Sequence, residues 1–442
     1  MMKLLHTRSG SLTRNAGWMF AGQLLTYALQ GGYFILLARV LGSREYGVLV
    51  GVTALVSIAS QFSTMGSGFV MLRHVSRDKE RFAEYWGNAV FTTLAVGIAI
   101  ALSLQFFGKS LIGVSGASLI AMVAIADCVC MRLTEIAGQA FQSFEVLRIT
   151  ALMSTLTNAL KFSAALLVTL VVRHATAAEW AAYALAVSMA SAVIAFTLVS
   201  FLLGRPKFHF GLMRASIAEG FGFSFSSSTT SVYNDLDKTM LSHFGMNEAN
   251  GVYSMAYRLI DISCAPVRSI HAAAFPKFCQ KGAHGVLENR RFAGTILKKT
   301  SLFAIAAAVG LFLLAPVVPR IIGPSFANSV IALRWLCLLP LMRSLHLSAG
   351  DALTGAGYQR YRTICQVLAA GLNFALNLYL IPTYSWRGAI GSSLITDGVL
   401  AMANWATLSL IARLEIRKEA AAAQLEGNLA GVSSLRSSNA EV

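Results

Sequence analysis

Seven of the chain's thirty-six Lys and Arg residues lie within stretches that otherwise read as membrane: Arg132, Lys161, Lys238, Arg258, Arg268, Arg334 and Arg343. A cation at the centre of a helix in hydrocarbon costs about 2.5–3.5 kcal/mol on insertion scales, so such residues turn toward a bundle interior or a wet cavity. Arg offers a planar fork of donors that matches phosphate oxygens and keeps its charge when buried, whereas Lys is a compact point charge. Deep cations of both kinds suit an anionic ligand handled inside the bilayer. A diphosphate held among Arg258, Arg268, Arg343 and Lys161 is the arrangement they suggest. Seven acidic residues occupy the same stretches: Asp127, Glu135, Asp235, Asp237, Asp261, Asp351 and Asp397. The interior is therefore not uniformly positive, and the sequence leaves open which charges neutralise one another.

Spacing sorts these residues further. Ser254, Arg258, Asp261, Ala265 and Arg268 follow at steps of four, three, four and three, one stripe of an α-helix. The stripe reads as a cavity wall partly neutralised by Asp261, or as an ion pair that fixes helix packing while Arg268 snorkels to the surface. Ser224, Ser228, Ser231, Asp235 and Lys238 share another face, dense enough in polar groups to suggest a wet surface; Asp235 or Asp237 can pair with Lys238. Arg343 and His346 stand one turn apart, followed by Asp351. Arg343 lies at mid-membrane depth, whereas Arg334 can reach an interface. Ser154, Asn158 and Lys161 align, and Arg132 and Glu135 form a one-turn pair. The substrate-binding candidates are thus Arg258, Arg343, Lys161, Arg268, Asp261, Lys238 and Arg132. His346, Asp351 and Asp261, ionisable groups at depth, are the candidates for coupling to a proton or sodium gradient. Gln23, Tyr27 and Gln30, and farther on Asn373, Asn377 and Asn404, fit interhelical hydrogen bonds as well as they fit substrate contacts.

Membrane helices must position all of these. The chain is 56% hydrophobic and 13% charged, against about 25% charged in soluble domains. A window of about 20 residues yields twelve expected spans. In the first half they run near 18–38, 48–70, 88–107, 117–138, 150–172 and 180–203; in the second near 219–242, 249–273, 300–322, 329–352, 361–384 and 388–411. Alternate placement of the loops puts 23 Lys and Arg on the side of the N-terminus and 6 on the other. The positive-inside rule then makes both termini cytoplasmic. It also accounts for the net charge of +16 without a nucleic-acid partner. The expected fold class is an all-α integral membrane protein of twelve transmembrane helices in two six-helix lobes around a central cavity. Its divisions are a cytoplasmic N-terminus (1–17), an N-lobe (18–203), a cytoplasmic linker (204–218), a C-lobe (219–411) and a partly disordered cytoplasmic tail (412–442) that begins as a short surface helix. The first apolar run continues to Leu37, too long for a signal-peptide core, and reads as a retained helix. Cys128, Cys130, Cys264, Cys279, Cys337 and Cys365 lack metal-site spacing and read as packing residues. The chain carries no triad, metal cluster, Gly-rich phosphate loop or room for a soluble catalytic domain, so a non-enzyme is expected.

An internal repeat supports the two halves. Leu41-Gly42-Ser43-Arg44-Glu45-Tyr46-Gly47-Val48 follows the first span, and Phe244-Gly245-Met246-Asn247-Glu248-Ala249-Asn250-Gly251-Val252 follows the seventh. Both read apolar-Gly, a polar stretch with Glu, then Gly-Val entering a helix, with one residue more in the second. The glycines suit tight helix–helix turns. Six spans per half would give both copies one orientation, related by an axis along the membrane normal. Substrate would then bind between them and cross by alternating access.

The segment from Leu36-Leu37-Ala38-Arg39 through Tyr46-Gly47, with the polar run to Gly66 and Arg73, resembles the first-turn signature of Wzx-type polysaccharide flippases of the MOP exporter superfamily. Asp237-Lys238-Thr239-Met240-Leu241-Ser242 through Tyr257-Arg258 is similar to that family's second-half signature. Leu372-Asn373-Phe374-Ala375-Leu376-Asn377 through Ile381-Pro382-Thr383-Tyr384 to Gly391 gives a third match. The resemblance implies a flippase for an undecaprenyl-diphosphate-linked oligosaccharide. The cargo would move from the cytoplasmic to the periplasmic leaflet of the bacterial inner membrane for lipopolysaccharide or exopolysaccharide synthesis. It also implies membrane lipids, a polysaccharide polymerase and a chain-length regulator as partners. The competing expectation is a cation-coupled multidrug exporter of the same superfamily, for which Asp127 or Asp261 would be the working carboxylate. A pathway glycosyltransferase, ligase or polymerase is disfavoured, because the longest expected periplasmic loop is about ten residues.

Overall fold

Glycine and proline, more than loss of apolar character, decide where the helices of this chain stop. The computed structural model describes residues 12–112, 117–172 and 174–438. Among these residues it is helical throughout, without strands. The first eleven residues of the expected N-terminal segment, and residues 439–442 of the tail, lie outside the described residues. The backbone divides into two compact units. The first comprises the described parts of Met1–Met255, Pro316–Val330 and Asn377–Ala389; the second comprises Ala256–Ala315, Ile331–Leu376 and the described part of Ile390–Val442.

The first unit begins with α1 (Leu12–Ser60), interrupted at Gly42, whose φ of 69° and ψ of 175° are not helical. This is the turn expected between the first two spans. α2 (Ser67–Val75), α3 (Phe82–Ile112) and α4 (Ala117–Ile125) follow. A π-helical turn, Ala126–Met131, joins α4 to α5 (Arg132–Ser143). Then come α6 (Leu147–Val171), α7 (Ala177–Leu202) and α8 (Phe210–His243). A capping box starts α7: Thr176 Oγ1 accepts the Glu179 N–H at 3.2 Å, and Glu179 Oε2 accepts the Thr176 N–H at 2.7 Å. Glu45 from the first repeat turn caps the same helix, its carboxylate accepting the Ala177 N–H at 2.9 Å. The core gathers Leu37, Tyr46, Val52, Trp180 and Phe326 in one cluster and Trp86, Ile136 and Phe141 in another.

α9 (Asn247–Ser263) and α10 (Ala265–Gly282) replace the single span expected over 249–273. Pro266 sits in the first turn of α10. It has no N–H to continue the α9 ladder, and its ring would crowd the carbonyl four residues back, so the helix restarts there. In the second unit α11 (Val286–Leu314) leads through short turns, including α12 (Val318–Ile322) of the first unit, to α13 (Ser329–Leu336) and α14 (Leu339–Gly355). Pro340 opens α14 in the same manner. α15 (Gln359–Tyr384) and α16 (Trp386–Ser438) complete the chain. The core of the second unit is built on Phe278, Ala293, Ala349, Leu353 and Leu408. α16 stays helical well past Arg413, where a short surface segment was expected, because the alanines at 420–423 are the strongest of helix formers.

Among the described residues, eight helices are long and apolar enough to cross a membrane: 22–60, 82–108, 147–171, 177–202, 286–322, 329–355, 359–384 and 386–417. Large apolar side chains on them face outward, with Phe106 78%, Leu170 75% and Phe201 76% exposed. Such surfaces suit lipid and would be an association hazard in water. Where these segments differ from the twelve expected spans, the reasons are local. The first two run as one long segment, two helices joined across the non-helical Gly42. Span 117–138 is divided by the π turn, 219–242 is crowded with Ser, Thr and Asp, and 249–273 is broken at Pro266.

Candidate functional site

Arg343, the cation expected at mid-membrane depth, is buried on α14 with 9% of its surface exposed. Its guanidinium donates to Asp261 Oδ1 at 2.6 Å and to the Tyr257 hydroxyl at 2.6 Å, and lies 5.3 Å from the centroid of the Tyr257 ring. A weaker contact reaches Cys264 Sγ at 3.8 Å. Tyr257, Asp261 and Cys264 fall on one face of α9 and its end; of the stripe expected from spacing, Asp261 is the member that meets Arg343. The Asp261 side chain remains 44% exposed, which leaves the ion pair open to a ligand on the Asp261 side. Arg258 is half-buried on the same helix. Arg268, across the break at Pro266, is exposed and donates to the Asp261 carbonyl at 2.7 Å. There it satisfies a carbonyl that the end of α9 leaves open. Sequence spacing found Arg343 and Asp261; it missed Tyr257, which the pattern could have flagged one turn before Asp261.

Asp351, an ion-coupling candidate, is buried between a histidine and an arginine. His271 Nδ1 lies 2.8 Å from its Oδ2, and Arg362 donates to its Oδ1 at 3.1 Å. Arg362 also reaches Thr354 Oγ1 at 2.9 Å. Neither His271 nor Arg362 was singled out from sequence, although His271 continues the stripe three residues after Arg268. A cavity of about 180 Å3 opens here, lined by Arg268, His271 and Asp351 among others. His346 stands apart from this group: its Nε2 is 3.9 Å from Asp397 Oδ1 and its carbonyl accepts from Asn404 at 3.2 Å.

The first unit holds a larger cavity of about 690 Å3, lined by Asp127, Arg132, Glu135, Ser60, Gln142 and Asn158 among others. Arg132 donates to Glu135 Oε2 at 2.6 Å and to Ser60 Oγ at 3.0 Å, so the one-turn pair read from the sequence is formed. Asp127 joins them because of the π turn. Five residues separate Asp127 from Arg132, about 140° around an α-helix at 3.6 residues per turn, but an i→i+5 turn stacks that spacing. Lys161, half-buried on α6, acts with Arg132 on the Asp127 carboxylate.

The polar face of α8 has a different use from the wet surface expected of it. Ser228 donates to the Ile58 carbonyl at 3.2 Å, Gln61 to Ser231 at 3.2 Å, and Ser57 to Asp235 at 2.8 Å. These are hydrogen bonds between α8 and the end of α1, a seam of the kind polar residues form between helices in apolar surroundings. Lys238 lies in the same seam, its side chain 12% exposed and bonded to Asp235 at 2.6 Å and the Asn234 carbonyl at 2.9 Å. Asp237 is buried and accepts from the Tyr253 hydroxyl. Arg334 stacks on Phe312 at 4.9 Å from the ring centroid.

The two repeat turns meet. Gly42 and Gly245 adopt nearly identical φ values of 69° and 70°, as the aligned motifs require. Beyond them, a Cβ on Gly47 would lie 1.7 Å from the Asn247 carbonyl oxygen, and one on Gly251 would lie 1.9 Å from that of Ser43. Each glycine thus rests on the carbonyl four residues before the other. Asn250 locks the crossing by donating to the Gly47 carbonyl at 3.0 Å. Among the described residues no group of three or more His, Cys, Asp or Glu could hold a metal ion.

A family model described as "Polysaccharide biosynthesis protein" matches residues 12–281. No sequence among the curated proteins matches the chain. Solved structures similar to it include the inward-facing conformation of a multidrug resistance MATE family transporter of the MOP superfamily. That likeness has a TM-score of 0.70 and 14% identity, covering 90% of this chain and 99% of that one. The outward-facing conformation of such a transporter gives 0.62 at 14% identity over 95% and 98%. A MOP superfamily transporter from Pyrococcus furiosus, whose structure is described as having a binding pocket of reverse polarity that suggests a different function, gives 0.60 at 15% identity over 92% and 97%. At such identities the likeness shows the fold: an all-helical, multi-pass membrane architecture of the MOP type.

Proposed function

The chain belongs to the polysaccharide biosynthesis protein family, the family of Wzx-type flippases, and we propose that it flips an undecaprenyl-diphosphate-linked oligosaccharide from the cytoplasmic to the periplasmic leaflet of the bacterial inner membrane. The observation that carries this reading is the family match over residues 12–281 on a chain with the fold of MOP transporters. In this reading the twelve expected segments cross the bilayer, both termini are cytoplasmic, and the cargo moves by alternating access. The charges in the apolar helices support it. Arg343 is buried, its ion-pair partner Asp261 is half-exposed, and Arg258 and Arg268 lie on α9 and the segment after it. A diphosphate approaching Asp261 could take over the guanidinium, and Tyr257 would keep the fork oriented meanwhile.

Coupling to a proton or sodium gradient is part of the proposal, with Asp351, Asp261 and His346 as the carriers to test. The 2.8 Å contact between His271 and Asp351 favours Asp351 among the three, because it gathers two ionisable groups at depth. The polymerase and chain-length regulator of the pathway are the expected partners. The drug-exporter alternative draws only on the names of solved structures at 14–16% identity, and it is not favoured. The decisive experiment is a leaflet assay in a strain lacking the gene. Lipid-linked oligosaccharide should accumulate in the cytoplasmic leaflet and return to normal with the wild-type chain. The Arg258→Ala, Arg343→Ala double variant should fail to restore it; normal polymer from that variant, well expressed, would remove the arginines from the site.

A further inference from the structure

A cavity of about 570 Å3 opens where α1 meets the short helix α12, both in the first unit. Its charged lining is Arg39 and Arg320, with no carboxylate beside them. The other walls, Pro319, Ile322 and Pro324 among them, carry no acidic or hydroxyl side chain. Arg39 Nε donates to the Ile321 carbonyl. That bond anchors the guanidinium on α12, and its two terminal nitrogens make no further bond among the described residues. Arg320 has no hydrogen-bond or ion-pair partner among the described residues. Arginine keeps its charge in any surroundings. Two guanidinium groups therefore share one cavity with no protein anion to offset their repulsion. Phosphate oxygens match the donor fork that each presents.

The surroundings separate a lipid phosphate from a dissolved one. Arg39 stands three residues before the break at Gly42, and Arg320 two residues before the end of the apolar stretch 286–322. Both arginines thus lie at the ends of runs apolar enough to cross a membrane, where a long basic side chain reaches the headgroup layer. Ile35 stands one helical turn before Arg39, and Ile321 follows Arg320 directly; they are 36% and 44% exposed. A phosphate held here can carry acyl chains that run along this apolar surface. A zwitterionic headgroup gains less, because no carboxylate lines the cavity to receive its ammonium. We propose that the cavity binds the headgroup phosphate of an anionic phospholipid, of the phosphatidylglycerol or cardiolipin kind, and that the bound lipid clips α12 to α1. Basic clusters at the membrane surface select anionic lipids on the same electrostatic ground. The inference rests on the membrane architecture and holds whatever the cargo.

The test uses the purified full-length protein, stripped of lipid in a neutral detergent. The probes are phosphatidylglycerol, phosphatidylcholine, inorganic phosphate and undecaprenyl diphosphate. The wild type should bind phosphatidylglycerol about tenfold more tightly than phosphatidylcholine. Arg39→Gln and Arg320→Gln should each abolish that preference, and in native mass spectrometry each should retain one anionic lipid fewer than the wild type. Arg320→Gln breaks no bond among the described residues, so its melting temperature in lipid-free detergent should equal the wild type's. Arg39→Lys, which keeps the charge and loses the fork, should lose most of the preference. A preference that survives in both Gln variants would overturn the site. Inorganic phosphate that displaces phosphatidylglycerol at equal concentration would reassign the cavity to a soluble anion. Undecaprenyl diphosphate that binds more tightly than phosphatidylglycerol, and loses that affinity in both Gln variants, would reassign it to a lipid diphosphate.

Discussion

Replacing Gly47 with Ala tests the crossing between the two repeat turns. The added Cβ would stand 1.7 Å from the Asn247 oxygen, where ordinary contact begins at 3.4 Å. The helices must therefore part by about 1.7 Å, since the obstacle is backbone and cannot rotate away. Parting them stretches the 3.0 Å bond from Asn250 to the Gly47 carbonyl beyond use. Overpacking costs about 1–3 kcal/mol and the lost bond about 0.5–1.5 kcal/mol, together roughly 2–4 kcal/mol against the closed crossing. That is a shift of roughly thirtyfold to several hundredfold toward any state in which the two turns are apart. On the proposed topology, which puts this end on the periplasmic side, and the proposed alternating access, the variant should favour the outward-open form and slow the cycle. Spin labels at Arg44 and Glu248, both exposed, report the separation by pulsed electron resonance in a cysteine-free background. The distance distribution should move outward in Gly47→Ala and equally in Gly251→Ala. It should stay put in Gly222→Ala, where an added Cβ meets nothing within 4 Å. A Gly47→Ala protein with wild-type distances and wild-type transport would refute the reasoning.

Other perturbations follow from the same geometry. Tyr257→Phe removes a 2.6 Å bond to the buried guanidinium and should slow flipping about tenfold, the scale of one hydrogen bond to a charged group; unchanged rates in the leaflet assay would make Tyr257 a packing residue only. Asp351→Asn leaves His271 and Arg362 without their shared carboxylate and should lower the protein's stability by about 3–5 kcal/mol, whereas Arg360→Ala, at an exposed site, should leave its melting temperature where it is. Cys279 is the exposed member of the six cysteines and lies in an expected cytoplasmic loop, so an impermeant maleimide should label it in inverted vesicles and not in intact spheroplasts; the reverse pattern would invert the topology. Transport in proteoliposomes should respond to an imposed pH gradient and lose that response in Asp351→Asn; indifference of the wild type to pH and sodium gradients would end the coupling proposal.

Much of this was legible in the residues. The one-turn rule placed Arg132 with Glu135, and steps of three and four placed Asp261 on the face that meets Arg343. The repeat motif marked two turns whose glycines share a backbone conformation. What escaped has identifiable causes. Asp127 was kept apart from Arg132 because spacing was counted on an α-helix, and a π turn changes the count. The stripe was drawn straight through Pro266, where the helix restarts. His271 and Arg362 converge on Asp351 from separate helices, and no periodicity within one helix can report a contact of that kind. The serines of α8 have the composition of a cavity wall, yet they bond to α1, because a hydroxyl facing a neighbouring helix and one facing water look alike in sequence.

The π turn also has a consequence for how this chain tolerates change. Such a turn holds one residue more than the α-helical turn it replaces. Deleting any one residue from Ala126–Met131 would therefore let the backbone relax into an ordinary helix with the packing faces of Ile120 and Ala124 on one side, and Ile136 and Phe141 on the other, still in phase. Placed at Ala126, before Asp127, such a deletion keeps five residues to Arg132 and swings the carboxylate about 140° off the shared wall. Placed at 128–131, it leaves four residues, about one α-helical turn, and keeps the two groups together. At this point in the chain, the cavity-facing surface is written in the length of the polypeptide as much as in the identity of its side chains.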